Sequence, residues 1–246
     1  MKAHHLDTSF PDADLTPPAP IDAAALDERL REAAPLDILR AALDTFPGRI
    51  AAVSSFGTES AVLLHMIAQV DTATPVLFLD TGHLFPETLA YRDDLVARLG
   101  LTGVITQRPD ADALKARDPD NALWSDNPDA CCALRKVEPL ARALAPYAAW
   151  INGRKRYQAA TRSSIPVVEK DGARLKFNPL ASLTRDDLVA YMADHGLPKH
   201  PLEPFGFASV GCMPCTSRVM PGEDPRAGRW RGRNKTECGI HLGEGI

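Results

Sequence analysis

Four short apolar stretches, at residues 50–53, 75–79, 103–106 and 148–151, alternate with segments whose apolar residues recur at helical spacing. Val62, Leu63, Met66, Ile67 and Val70 set that spacing after the first stretch, and residues 133–145 read as helix before the fourth. Strands and helices in this alternation imply βαβ units, hence an α/β fold with an open, mainly parallel twisted sheet flanked by helices. Residues 27–43 carry a further helical pattern that Pro47-Gly48 stops.

After Gly153 the pattern changes. Residues 167–169 and 174–177 flank Lys170-Asp171-Gly172-Ala173 as a hairpin. Residues 184–195 are a helix with Thr184 as cap, Asp187 at its third position, and Gly196 and Pro198 beyond its end. From Pro201 onward Gly, Pro and Arg dominate without a clear core element. The chain divides into an N-terminal arm (1–25), expected to be mobile, an α/β nucleotide-binding domain (26–205) and an irregular C-terminal segment (206–246) belonging to the same domain.

Composition removes several function classes. No apolar run reaches the roughly 18–20 residues of a membrane helix. The N-terminus, polar and proline-rich, lacks a secretory pattern, so a cytoplasmic protein without a membrane partner is expected. The net charge of −4 argues against a nucleic-acid partner. Five cysteines, an odd number in a chain not expected to be exported, point to metal or redox chemistry and away from a disulfide framework.

The chemistry-bearing residues fall into three groups. The first apolar stretch runs into Ser54-Ser55-Phe56-Gly57-Thr58-Glu59-Ser60, and the second ends at Leu79-Asp80-Thr81-Gly82. Polar loops at strand ends that open helices suit an anion or a nucleotide. The first lacks the second glycine and the lysine of a Walker A loop. Cys131-Cys132 and Cys212-Met213-Pro214-Cys215 supply four thiolates, which suit a tetrahedral zinc or an iron–sulfur cube. Adjacent cysteines diverge and more easily reach two irons of one cube, which favours [4Fe-4S]. Arg135 and Lys136 either offset such a centre's charge or lie on a solvated helix face.

The third group is the tail. Cys238 stands apart, with Lys235 and His241 positioned to lower its pKa. With the other four cysteines taken by metal, Cys238 has no resolving partner in its own chain, so an outside thiol must discharge any adduct. Arg218, Arg226, Arg229, Arg231 and Arg233 precede it, and Arg154, Lys155, Arg156 and Arg162 follow the fourth stretch. Such arginines fork onto phosphate and sulfate. His65 and His83 carry no partner signal, and His65 is expected in packing or on a helix surface.

From about residue 45 to His241 the chain resembles the assimilatory adenylyl-sulfate/phosphoadenylyl-sulfate reductases. The resemblance rests on Ser54 to Ser60, Leu79-Asp80-Thr81-Gly82, Cys131-Cys132-Ala133-Leu134-Arg135-Lys136, Gly153-Arg154, Cys212-Met213-Pro214-Cys215 and Glu237-Cys238-Gly239-Ile240-His241. It implies an adenine nucleotide α-hydrolase-like fold and reduction of adenylyl sulfate to sulfite and AMP, in sulfate assimilation towards cysteine, through a Cys238 S-sulfocysteine. Thioredoxin or a glutaredoxin-like donor would discharge that intermediate. Cys131, Cys132, Cys212 and Cys215 would ligate a [4Fe-4S] cluster, with Lys136 near both cluster and substrate. Ser54, Ser55, Gly57, Leu79, Asp80, Gly153 and Arg162 would line the nucleotide site, and Arg226 and Arg229 would hold the phosphosulfate. The four ligands go with adenylyl sulfate (APS), while the Leu79 to Thr88 stretch looks equally like the branch that uses phosphoadenylyl sulfate (PAPS). The family is commonly oligomeric, which leaves a homo-oligomer open. Two rivals stand beside this reading. An adenylating ATP pyrophosphatase would use a loop like SGGxDS, which this chain lacks, and a metal-containing nucleic-acid regulator would have no need of Cys238.

Overall fold

The computed structural model describes residues 21–241. In chain order these form α1 (Ala23–Leu30), α2 (Pro35–Thr45), β1 (Ile50–Ser54), α3 (Ser60–Val70), β2 (Val76–Leu79), α4 (Pro86–Leu99) and β3 (Val104–Gln107). There follow α5 (Ala111–Arg117), α6 (Leu123–Asp126), α7 (Pro128–Cys132), α8 (Glu138–Leu144), β4 (Ala149–Ile151), β5 (Val168–Asp171), β6 (Arg174–Phe177) and α9 (Arg185–Asp194). The single helix expected over 27–43 is two. Pro35 has no N–H to donate into a preceding turn and is suited to a first helical position, so the chain breaks before it and restarts. The expected arm also ends earlier: Asp22 caps α1, which starts at Ala23, and residues 1–20 lie outside the described ones.

The strands form one sheet in the order β3-β2-β1-β4-β6-β5, parallel throughout except for the β5–β6 hairpin at one edge. Alternate residues of the inner strands feed opposite faces. Ala52, Val76, Phe78, Ile151 and Phe177 join the larger core. Ala51, Val53, Leu77, Leu79 and Trp150 face Leu140 and Leu144 of α8. Both faces are covered, which is why the strands are continuous apolar runs that two-residue alternation would have missed.

The order reverses at β1, whose neighbours are β2 on one side and β4 on the other. In open α/β sheets such a switch point leaves a crevice beyond the strands' carboxyl ends. The loops that follow β1 and β4 meet there.

Between α7 and α8 the helix that sequence spacing places at 133–145 is interrupted by a π turn over Ala133–Val137. Pro139 lies one turn later, and in a straight α-helix its ring would collide with the carbonyl of residue 135. The wider π turn opens the backbone at that point, next to Cys131 and Cys132 at the end of α7.

Candidate active site

The crevice at the switch point is a cavity walled by several parts of the chain. Ser54, Ser55, Gly57 and Glu59 come from the loop after β1, with Leu79 at the end of β2. Gly153, Arg154, Lys155 and Arg162 follow β4. Arg226, Arg229, Trp230, Glu237, Cys238 and His241 come from the C-terminal segment. Phe56 takes a positive φ of 49° so that its ring packs inward on Phe78 while the polar residues on either side face the cavity.

Asp80 is not part of this wall, contrary to the sequence expectation. Its carboxylate accepts from the Gly82 N–H at 3.1 Å and pairs with Arg108 at 3.0 Å, closing the turn that follows β2. Leu79 and Asp80 alternate across the strand end, and only Leu79 faces the cavity.

Near α3 the wall carries a half-buried ion pair. Lys155 Nζ donates to Glu59 at 2.8 Å, and Tyr157 and Gln158 donate to the same carboxylate at 2.7 and 2.8 Å. Burial opposes the charge on Glu59, but Lys155 outweighs it and holds the carboxyl below its ordinary pKa.

The tail is fastened across the cavity. Glu237 receives Arg162 Nε and Nη2 at 2.6 and 2.7 Å, while Arg162 Nη1 donates to Gln158 at 2.6 Å. Arg226 donates to the Thr236 carbonyl at 2.9 Å and lies 3.5 Å from Glu237. Arg162 therefore lines the cavity with its fork already engaged by the tail. The His241 ring stacks on Trp150, centroids 5.7 Å apart and planes 4° from parallel. Trp150 is itself fixed by a 2.8 Å hydrogen bond from Nε1 to Asp171.

The local charge at Cys238 differs from the sequence expectation. Burial, then Arg154 and Arg162, pushes His241 well below the usual imidazole pKa, so it carries no positive charge to offer the thiol. Lys235 is turned onto Asp129. Lys136 and Arg226 both lie in the field of Cys238, and at Lys136 burial is outweighed by Cys212, Cys238 and Cys132, so the ammonium pKa is raised. Neither Arg135 nor Lys136 lies on a solvated helix face. Arg135 is buried, bonded to Asp118 at 2.6 Å, Asn121 at 2.7 Å and the Thr81 carbonyl at 2.9 Å.

Lys136 also lines a second, adjoining cavity walled by Cys131, Cys132, Cys212 and Cys215 together with His83, Trp124, Arg135, Pro214, Arg229 and Trp230. Burial, then the neighbouring thiol, pushes Cys131 up to about 12; burial pushes Cys132 up to about 11. Thr81 Oγ1 lies 3.3 Å from Cys212 Sγ. Three buried polar atoms with no hydrogen-bond partner among the described residues, His83 Nε2, Arg229 Nε and Trp230 Nε1, belong to residues of this wall. No group of three or more His, Cys, Asp or Glu among the described residues has the geometry to hold a single ion.

A model of the phosphoadenosine phosphosulfate reductase domain matches residues 49–218, from the start of β1 through the CxxC pair. The chain belongs to this family. Among its reductase relatives, the adenosine 5′-phosphosulfate reductase of Mesorhizobium japonicum is 55% identical over 221 residues, 89% of this chain and 87% of its own. The phosphoadenosine 5′-phosphosulfate reductase of Gloeobacter violaceus is 45% identical, over 90% of this chain and 95% of its own. The crystal structure of phosphoadenylyl-sulfate reductase from Candida auris, in a phosphate complex, superposes with a TM-score of 0.68 at 29% identity, covering 80% of this chain and 96% of that one. Candida glabrata FMN adenylyltransferase, 14% identical with a TM-score of 0.53 over 83% of this chain and 70% of its own, shares the fold alone.

Some wall residues of this reductase escaped the sequence reading. Glu237 was noted only as part of the tail motif. Its partner Arg162 lies 75 residues away, and no local pattern links them. The 208–211 stretch of the wall carries no motif. For Trp230 one signal was available, its place inside the arginine-rich stretch that also supplies Arg226 and Arg229.

Proposed function

We propose that this chain reduces adenylyl sulfate to sulfite and AMP, with Cys238 as nucleophile. The Cys238 thiolate attacks the sulfate sulfur, the bond from that sulfur to the phosphate oxygen breaks, and AMP leaves with the electron pair. An S-sulfocysteine remains on the protein. A reduced dithiol protein of the thioredoxin or glutaredoxin type then attacks Cys238 Sγ and expels sulfite. Its second thiol resolves the mixed disulfide, returning the Cys238 thiolate and supplying the two electrons.

The observation that carries this reading is Cys238 in the wall of the switch-point cavity beside Arg226, Arg229 and Lys136. Arg229 Nε is buried and unpartnered, which suits an incoming anionic oxygen. Ser54, Ser55, Gly57, Leu79 and Gly153 give the same cavity a polar and apolar lining of nucleotide character. His241, neutral and stacked on Trp150, orders the end of the tail and supplies no charge.

A [4Fe-4S] centre fits the second cavity. Four thiols share it: burial raises the pKa of Cys131, Cys132 and Cys215, which calls for a cationic partner to make them thiolates, while against its own burial Cys212 is held below its ordinary value by Lys136 and Thr81. The unpartnered ring nitrogens of His83 and Trp230 in its wall match the sulfur acceptors of an iron–sulfur centre. Cys131, Cys132, Cys212 and Cys215 would hold the group. When bound, it would contribute fixed charge next to Lys136 and a tie between α7 and the CxxC segment.

Adenylyl sulfate is preferred over its 3′-phosphorylated form because all four cysteines that accompany it, Cys131, Cys132, Cys212 and Cys215, are present and share one cavity. The Gloeobacter relative keeps the second substrate as the alternative reading. Sulfite formation from each nucleotide with reduced thioredoxin tests the proposal: the account expects turnover of APS, little of PAPS, and none in Cys238→Ser. Full activity in Cys238→Ser would overturn it.

A further inference from the structure

We propose that His83 donates a hydrogen bond from Nε2–H to a sulfur of the iron–sulfur centre, an inference that rests on the [4Fe-4S] reading above. His83 follows the turn after β2, where Gly82 takes a φ of +74° to bring the chain round. It is then clamped to the CxxC segment. Its carbonyl accepts from the Met213 N–H at 2.7 Å, and Leu84 pairs with Cys212 in an antiparallel bridge. This holds the ring in the wall of the four-cysteine cavity, 7% exposed, with Nε2 bonded to nothing among the described residues.

A buried ring nitrogen without a hydrogen-bond partner is rare in a folded protein, because folding strips its water and returns nothing, and the tautomer with its hydrogen on Nε2 is the one a sulfur acceptor selects. The other polar groups of this wall do not serve His83. Arg135 is engaged by Asp118, Asn121 and Thr81, while Lys136 and Arg229 are themselves donors. The acceptors the cavity offers are the cysteine sulfurs and, in a loaded centre, bridging sulfides. Both are anionic there and take N–H donors. One nitrogen beside four thiolates is thus a second layer of the centre and not a ligand, holding the sulfurs in place and withdrawing charge from them.

The test uses the chain purified anaerobically with its centre and three readouts besides turnover. In the chain labelled with 15N-histidine, one imidazole Nε2–H resonance should carry a hyperfine shift that vanishes when iron is removed. His83→Phe should lose that resonance and show a smaller deuterium shift in the iron–sulfur Raman bands. Its iron loss to a chelator should be faster by about tenfold or more. His83→Met, also without an N–H, should behave alike and stands in should the phenylalanine variant misfold. His83→Gln, which keeps a donor, should recover part of the slow iron loss. Absence of any hyperfine-shifted histidine in the unaltered loaded chain overturns the inference, as do Raman shifts and iron loss unchanged in both donor-less variants. Absence of iron and sulfide from the unaltered protein defeats the cluster reading itself, and the His83 bond with it.

Discussion

The Glu237 carboxylate takes two nitrogens of Arg162 in a buried, bidentate pair and lies within reach of Arg226. It is the residue before Cys238, so the direction of the backbone at Cys238 is set by a guanidinium that follows β4 in the sheet. A buried pair that loses one partner costs about 3–5 kcal/mol, and here the cheaper response is for the tail to undock. Glu237→Gln should slow Cys238 adduct formation by about a hundredfold, the equivalent of about 3 kcal/mol. Cleavage in the 231–241 stretch should be faster, with little change in the melting of the α/β core. Unchanged protease protection together with unchanged adduct formation would show that the pair does not position the thiol. This pairing was illegible in the sequence, where Glu237 and Arg162 share no spacing rule. The thiol itself was legible because its count and isolation needed only the chain.

At the scale of elements, β6 carries Lys176 into the sheet between Trp150 and Glu169, 4.9 Å from the ring and 3.5 Å from the carboxylate. Burial, then the Arg154 charge, lowers its pKa from 10.5 to about 8. Between about pH 8 and 10.5 the unfolded chain therefore binds a proton that the fold does not, and stability rises with pH across that window. Below about pH 8 the penalty of the buried charge is fully present. Melting temperature against pH should climb from pH 8 to 10 more steeply in the unaltered chain than in Lys176→Met. Parallel curves for the two would refute this assignment.

Element boundaries were legible where a side chain signals locally. Thr184 and Asp187 read as a cap from sequence and form a reciprocal capping box on α9. Pro35 was an equally local signal for the break between α1 and α2, but the helical period running across it dominated the reading. Pro139, inside the 133–145 pattern, marks an interruption in the same local way, but α and π segments share composition, so the π form of the turn was not legible. Asp80 was misplaced because a motif names residues in a row, whereas a strand end sends successive side chains to opposite sides.

On the scale of the whole molecule, the reversal of strand order at β1 brings together segments more than 180 residues apart: the loop after β1, the loop after β4 and the tail. The four-cysteine cavity adjoins this crevice, and Lys136, Arg229 and Trp230 belong to both walls. A change in one is thereby felt in the other through shared side chains. The parallel α/β class was legible because buried strands are runs of apolar residues. The second layer of charge, Arg162 to Glu237 and Lys155 to Glu59, was not, because tertiary contact alone pairs those residues.

The most direct test of the covalent mechanism is the intact mass of the anaerobically purified protein after mixing with adenylyl sulfate and no dithiol donor. The account predicts a gain of one SO₃ group, absent in Cys238→Ser and released as sulfite on adding reduced thioredoxin. An unmodified mass with the iron–sulfur centre verified intact, or a gain that persists in Cys238→Ser, would contradict it.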